Sequence, residues 1–263
     1  VTVFLAASSL RGTDLPTVLA AAAEAGFDGI TVGAKAVDAW CAEDHDLTEL
    51  AALLADHGLR IGDLGFLGGW AGDPGQRAAA RTTEDAMYRI HDAVGATTML
   101  LLSSTGTTDD TVAAEALAEV ADRAAAHGLP VAVEFMPTTE VPDLPAAVRV
   151  VGAAGRESAG ICLDTWHHTR AGGGPADPVP AGMLRSLHLS DGPLARAVPD
   201  YLEETQHHRR PPGEGEFGVR ALVRAYRGVP VTVEVLSDAV AATPPREAAA
   251  HLRRAARTVL EER

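Results

Sequence analysis

Apolar, β-branched runs a few residues long alternate with longer stretches of helical periodicity along the whole chain. The short runs predict strands at residues 1–8, 29–33, 60–67, 97–103, 131–136, 160–165, 186–190 and 231–236. Ala- and Leu-rich patterns between them predict helices at 14–25, 46–57, 83–94, 112–127, 143–154 and 217–227, with a last one at 244–262. Gly26, Gly58, Gly95, Gly128, Gly155 and Gly228 stand where helices stop in left-handed turns before the next strand. Eight strands with helices between them predict an α/β fold with one domain over residues 1–263. The architecture expected is a (β/α)8 barrel, which needs about 250 residues. A doubly wound open sheet is the structural competitor; the lack of a Gly-x-Gly-x-x-Gly after the first strand disfavours it.

Two connections break the rhythm. Residues 170–180 are rich in glycine and proline, and only one short turn is expected over 178–184. Residues 192–215 exceed the usual loop length. An active-site lid or a subunit contact in a homo-oligomer is expected there, with a plain surface excursion as the alternative.

The second half of the chain carries the chemistry. Four apolar strands each end in a residue able to bind metal: Val131-Ala-Val-Glu134, Ile161-Cys-Leu-Asp164, Arg185-Ser-Leu-His188 and Val231-Thr-Val-Glu234. In a barrel these residues share the carboxyl-terminal face of adjacent strands, where barrel enzymes build their sites. One such residue alone reads as a helix cap or a surface charge. Three carboxylates buried together without a cation would be prohibitively costly, so the set of four points to a divalent ion. Its oxygen-rich donors suit Mn²⁺, Mg²⁺, Co²⁺ or Fe²⁺.

Composition narrows the function classes. A net charge of −14 argues against a protein that tracks a nucleic-acid backbone. No apolar run reaches the roughly 18 residues that span a membrane, and no basic-then-apolar leader opens the sequence, so a cytoplasmic location is expected. Cys41 and Cys162 cannot make a disulfide framework or a thiolate zinc site. Lys35 is the only lysine and lies in a loop without a visible cause for a depressed pKa, which leaves a Schiff-base aldolase little support.

The segments Glu134-Phe-Met-Pro137, Asp164-Thr-Trp-His167, His188-Leu-Ser-Asp191, Pro212-Gly-Glu-Gly215 and Val233-Glu-Val235 resemble signature segments of the xylose-isomerase-like TIM barrel superfamily. That group includes ketohexose 3-epimerases, inosose isomerases and dehydratases, 3-dehydroshikimate dehydratases and an apurinic endonuclease branch. The resemblance implies one divalent ion, Mn²⁺ first and Mg²⁺, Co²⁺, Fe²⁺ or Ni²⁺ next, held by Glu134, Asp164, His188 and Glu234. It implies that Glu134 and Glu234 also act as acid and base. The activity implied is an isomerase or epimerase on a sugar, keto-sugar or cyclitol, working by proton abstraction next to a carbonyl through a metal-stabilised enediolate. A lyase on the same scaffold is the alternative: an inosose or 3-dehydroshikimate dehydratase, or a keto-glycoside eliminase. The endonuclease branch needs histidines at the ends of strands three and four, where this chain has Leu64-Gly-Phe-Leu67 and Leu101-Leu-Ser-Ser104.

His167 faces substrate hydroxyls in the resembling enzymes; its other reading is a partner of Asp164. Asp191 is expected to orient His188. Glu214 either reaches the substrate or caps the helix at 217–227. Arg209 and Arg210 either clamp a substrate oxygen or are solvated. Trp40, Phe66, Trp70 and Trp166 are expected to form an apolar wall, with ordinary packing as the alternative. Of these, His167, Trp166, Glu214, Arg210 and Phe66 are the expected substrate contacts. Strand two, Gly29-Ile-Thr-Val-Gly33, lacks the acidic residue of many relatives, and no phosphate cradle is visible. An unphosphorylated small carbohydrate-like substrate is therefore the expectation.

Overall fold

In the computed structural model, which describes residues 1–102, 109–175 and 177–261, the eight apolar runs close on one another in chain order. They are β1 (Val3–Ala6), β2 (Gly29–Gly33), β3 (Arg60–Leu67), β4 (Thr98–Leu102), β5 (Val131–Glu134), β6 (Ala159–Asp164), β7 (Leu184–Leu189) and β8 (Val231–Val233). Every pairing is parallel, and β8 closes on β1 through Leu5 and Val233. Parallel strands are covered on both faces, which is why β6 is buried along its whole length and reads as an unbroken apolar run.

Around the barrel lie α1 (Leu15–Ala25), α2 (Ala34–Cys41), α3 (Leu47–Asp56), α4 (Pro74–Val94), α5 (Asp110–Ala125), α6 (Leu144–Ala154), α7 (Thr165–Arg170), α8 (Tyr201–His207), α9 (Val219–Ala225), α10 (Asp238–Ala241) and α11 (Pro245–Leu260). Asp14, Asp46, Asp109 and Asp143 cap the helices that follow them by accepting backbone N–H groups. Helix α4 starts well before the expected residue 83, because Asp73 and Gln76 form a reciprocal capping box and Pro74 opens the first turn. Its polar first half hid it from periodicity. Helices α2, α7, α8 and α10 were not expected; α2 and α7 each begin directly on the last residue of a strand, leaving no loop to mark them, and α8 lies within the segment 192–215 read as a long loop. The ends of the expected strand at 97–103 and helix at 244–262, and Ser103 and Ser104, lie outside the described residues. Among the described residues, no helix is long and apolar enough to cross a membrane.

The outward faces of the strands pack on the helices in one large core, while Leu100, Ala132 and Cys162, with partly buried Phe66, fill a layer within the barrel. Close strand approach needs glycine at Gly29, where an added Cβ would lie 1.9 Å from the Arg60 carbonyl oxygen. That neighbour is backbone and cannot rotate away. Gly29→Ala is therefore expected to destabilise the barrel by about 3 kcal/mol and to lower the thermal midpoint by roughly 5–10 °C. An unchanged midpoint would show that β2 and β3 can part at this point without cost.

Candidate metal and active site

Register explains how four strand ends meet. Glu134 pairs with Cys162 across β5 and β6, so Asp164, two residues on, shares their face one step higher. Asp164 pairs with His188, and His188 with Thr232, which sets Glu234 one further step up on the same inward face. The stagger is that of a tilted barrel. One ligand atom from each of Glu134, Asp164, His188 and Glu234 lies within 4.8 Å of the others, and all four residues are buried.

His188 is aimed by Asp63 on β3, whose Oδ2 receives the Nε2–H at 2.8 Å. This turns Nδ1 into the cluster, 3.8 Å from Glu134 Oε1 and 3.7 Å from Glu234 Oε2. There Nδ1 is buried and has no hydrogen-bond partner. An orphaned imidazole nitrogen facing carboxylate oxygens at these separations fits a divalent cation, whose ligand atoms stand about 3–4 Å apart around it. The donor set and its geometry therefore fit the ion.

The rest of the cluster is tied down by the chain. Asp164 Oδ1 accepts the backbone N–H groups of Trp166 and His167, at 2.6 and 3.1 Å, so it caps α7 while Oδ2 faces inward. Arg209, fully buried, places Nη1 at 2.8 Å from Asp164 Oδ2 and 3.3 Å from Glu234 Oε2. Ser8 donates to Glu234 Oε1 at 3.1 Å.

The two glutamates differ in their hold on a proton. Burial raises the Glu134 pKa to about 8, with the charges of Glu234 and Asp164 adding to it against His188. Burial pushes Glu234 the same way, but His188 and Arg209 outweigh it and hold this carboxyl well below the ordinary range. Burial opposes charge on His188, yet Cys162, Asp63 and Glu234 raise its pKa well above the usual value. Burial lowers His167 to about 4, so it is neutral near pH 7.

The expected substrate contacts fall in different places. His167 is brought to the cluster, with Nε2 at 3.9 Å from Glu134 Oε1. Phe66 stays partly exposed above the inner layer of the barrel. Trp166 does not form a wall: it is buried, packs on Phe217 under the Arg170 guanidinium, and donates its indole N–H to Thr205. Trp40 and Trp70 are likewise buried in packing. Glu214 is turned away to pair with His251 of α11 at 2.6 Å on an exposed face.

Arg210 is exposed, and its backbone pairs with Asp191. The arginine inside the site is its neighbour Arg209. Asp191 does not reach His188; it accepts the N–H groups of Gly192, Gly213 and Phe217 and so staples the Pro-Gly-Glu-Gly turn. Gly215 is required there, since a Cβ would lie 2.3 Å from Asp191 Oδ1. Asp63 was missed, although a carboxylate inside the apolar run Ile61-Gly-Asp-Leu64 was a readable signal.

Comparison with known proteins agrees with this architecture. The chain is 29% identical over 256 residues to a 3-dehydroshikimate dehydratase of Pseudomonas aeruginosa, covering 92% of this chain and 39% of that protein. It thus spans about two fifths of the length of the curated relatives it matches. Among solved structures, the IolI protein with a zinc atom superposes with a TM-score of 0.88 at 18% identity, over 99% of this chain and 98% of that one. A D-allulose 3-epimerase from Methylomonas sp., in complex with D-allulose, superposes with a TM-score of 0.75 at 18% identity, over 98% and 96%. The family model described as xylose isomerase-like TIM barrel matches residues 19–258, and the chain belongs to that family.

Proposed function

We propose that the protein is a divalent-metal-dependent enzyme that removes a proton from carbon next to a carbonyl of a small, polyhydroxylated substrate. The observation that carries this reading is the orphaned His188 Nδ1 facing Glu134 and Glu234. When bound by Glu134, Asp164, His188 and Glu234, the ion would supply Lewis acidity towards oxygen and offset the charge that develops as the proton leaves. Glu134 is assigned as the proton carrier and Glu234, held by Arg209 and Ser8, as the second carboxylate. His167 steadies a substrate oxygen, and Phe66 gives the ring an apolar contact. A carboxylate acting in such a buried, preorganised site avoids the reorganisation that makes it a poor base in water.

The outcome favoured is dehydration: the base takes the carbon-bound proton, the electron pair forms the double bond, and the β-hydroxyl leaves with a proton as water. The support is that both matched curated relatives are 3-dehydroshikimate dehydratases. Isomerisation or epimerisation is the second reading. It is favoured by the near-equal placement of the two glutamates about His188, which suits removal of a proton on one side and return on the other.

Incubating the metal-supplemented protein in deuterated water with 3-dehydroshikimate, an inosose and D-allulose separates these outcomes. Dehydration gives loss of one water from 3-dehydroshikimate by mass spectrometry. Epimerisation or isomerisation gives an isomer, with deuterium on carbon where solvent reaches the carrier. Conversion to a product that is neither the dehydration product nor an isomer, as in phosphodiester hydrolysis, would sink the reading.

A further inference from the structure

Two buried hydrogen bonds lie between α7 and α8 outside the carboxylate cluster, and one of them ends on His167. The Trp166 indole Nε1–H donates to Thr205 Oγ1 at 3.0 Å. Thr205 lies one turn after Tyr201 on α8, and Tyr201 Oη meets His167 Nδ1. All four residues are buried.

The direction of these bonds follows from what each group can do. An indole N–H only donates, so Thr205 Oγ1 accepts and keeps its own hydrogen to give. Among the described residues the Tyr201 hydroxyl has His167 Nδ1 as its hydrogen-bond partner, so the neutral phenol gives its one hydrogen to Nδ1. A ring nitrogen that accepts carries no proton, so the neutral imidazole bears its N–H on Nε2. Nε2 is the nitrogen on the side of Glu134.

We propose that the Tyr201–His167 relay is a positioning device: Tyr201, carried on α8, holds His167 as the Nε2–H tautomer and so presents a hydrogen-bond donor to the substrate oxygen beside Glu134. The use of that donor rests on the function proposed above; the tautomer does not. The opposite tautomer would turn a lone pair towards an oxygen gaining negative charge and repel it.

The fold keeps the relay in register. Arg170, on the same helix as His167, bridges both oxygens of buried Glu204 at 2.9 and 2.8 Å and also donates to the Pro193 and Leu194 carbonyls. Glu204 belongs to α8, which carries Tyr201 and Thr205. The two helices that must agree on one hydrogen bond are thus fastened to each other a turn away. Thr205 has a second duty, since its carbonyl accepts Arg209 Nε–H at 3.0 Å.

The test reads the tautomer directly. The protein labelled with ¹⁵N-histidine and supplied with Mg²⁺ gives ring-nitrogen shifts through two-bond correlations to the carbon-bound ring protons. His167 is identified by the signals lost in His167→Gln. In the wild type it is expected to show an unprotonated Nδ1 and a protonated Nε2. Tyr201→Phe keeps the buried ring and removes the hydroxyl; the His167 signals are expected to move to the Nδ1–H form or to an average of both. An Nδ1–H wild type, or an unchanged Nε2–H form in Tyr201→Phe, overturns the relay.

With a substrate identified as above, Tyr201→Phe is expected to lower kcat about 10- to 100-fold, with KM nearly unchanged. Unchanged kcat beside an altered tautomer overturns the positioning role. A wild type that converts no substrate counts against the proposed reaction, while the spectra still decide the relay.

Discussion

Glu134→Gln is expected to lower kcat about a thousandfold at full metal loading, and Glu234→Gln to lower it comparably, with both variants folded. Each side chain is proposed for two duties, holding the ion and serving the reacting carbon, and an amide keeps the shape while it cannot take up a proton. Buried side chains on rigid strand ends leave a replacement group little room to approach from elsewhere. Metal content must be measured beside the rate, because a weaker ligand empties the site and imitates a chemical defect. Circular dichroism guards against loss of fold, which is not expected for Glu134→Gln: removing a carboxylate that burial already disfavours relieves the metal-free cluster. Near wild-type turnover by either variant, at full occupancy, would remove that carboxylate from the chemistry.

The second expected result is a steep pH dependence of metal binding. Glu134 holds its proton up to about pH 8 in the metal-free protein, and His188 is likewise shifted upward. Both must give up a proton to bind the ion, so each proton released makes the affinity rise about tenfold per pH unit. Glu134 alone gives roughly fiftyfold between pH 6 and pH 8.

The sign for stability runs the other way. Both groups have folded-state pKa values above their unfolded ones, so their contribution is present at low pH and is lost as pH rises through the folded values. His167, lowered to about 4, gains its contribution between about pH 4 and 6.5 and offsets the Glu134 loss there. The metal-free protein is therefore expected to lose stability mainly from about pH 6.5 towards pH 8, and added metal to restore it increasingly over that range. Titration calorimetry with Mg²⁺ or Mn²⁺ in buffers of different ionisation enthalpy counts the protons released, and thermal melts supply the second curve. Affinity independent of pH between 6 and 8 would mean that Glu134 is not among the ligands.

The barrel and the four clustered residues were legible because they are written in strand-length runs, each ending in a residue too polar for its surroundings. The partners that aim them were harder to read. Asp63 interrupts a strand on the far side of the barrel, 125 residues from His188, and only closure of the sheet brings the two together. Arg209 and Arg210 are adjacent and chemically identical; which one turns inward is set by the pairing of Arg210 with Asp191 and by the end of α8. Glu214 looked equally suited to the site, and its fate depended on His251, on a helix that no local pattern connects with it. Trp166 lies beside two site residues in sequence, yet the turn into α7 sends it into the packing under Arg170. Strand ends are local information; the company a side chain keeps is not.

Arg209 also bears on the life of the chain before it meets an ion. Some small metal-binding domains cannot fold until their metal arrives, because nothing else offsets the charges they gather. Here a guanidinium already spans Asp164 and Glu234, and Glu134 keeps its proton near neutral pH. Folding and metal acquisition are thereby separate events. On the function proposed above, the polypeptide would complete its barrel first and draw an ion later, from whatever pool the finished protein encounters. Which metal the proposed site holds would then record where it was loaded as much as the ligands it offers.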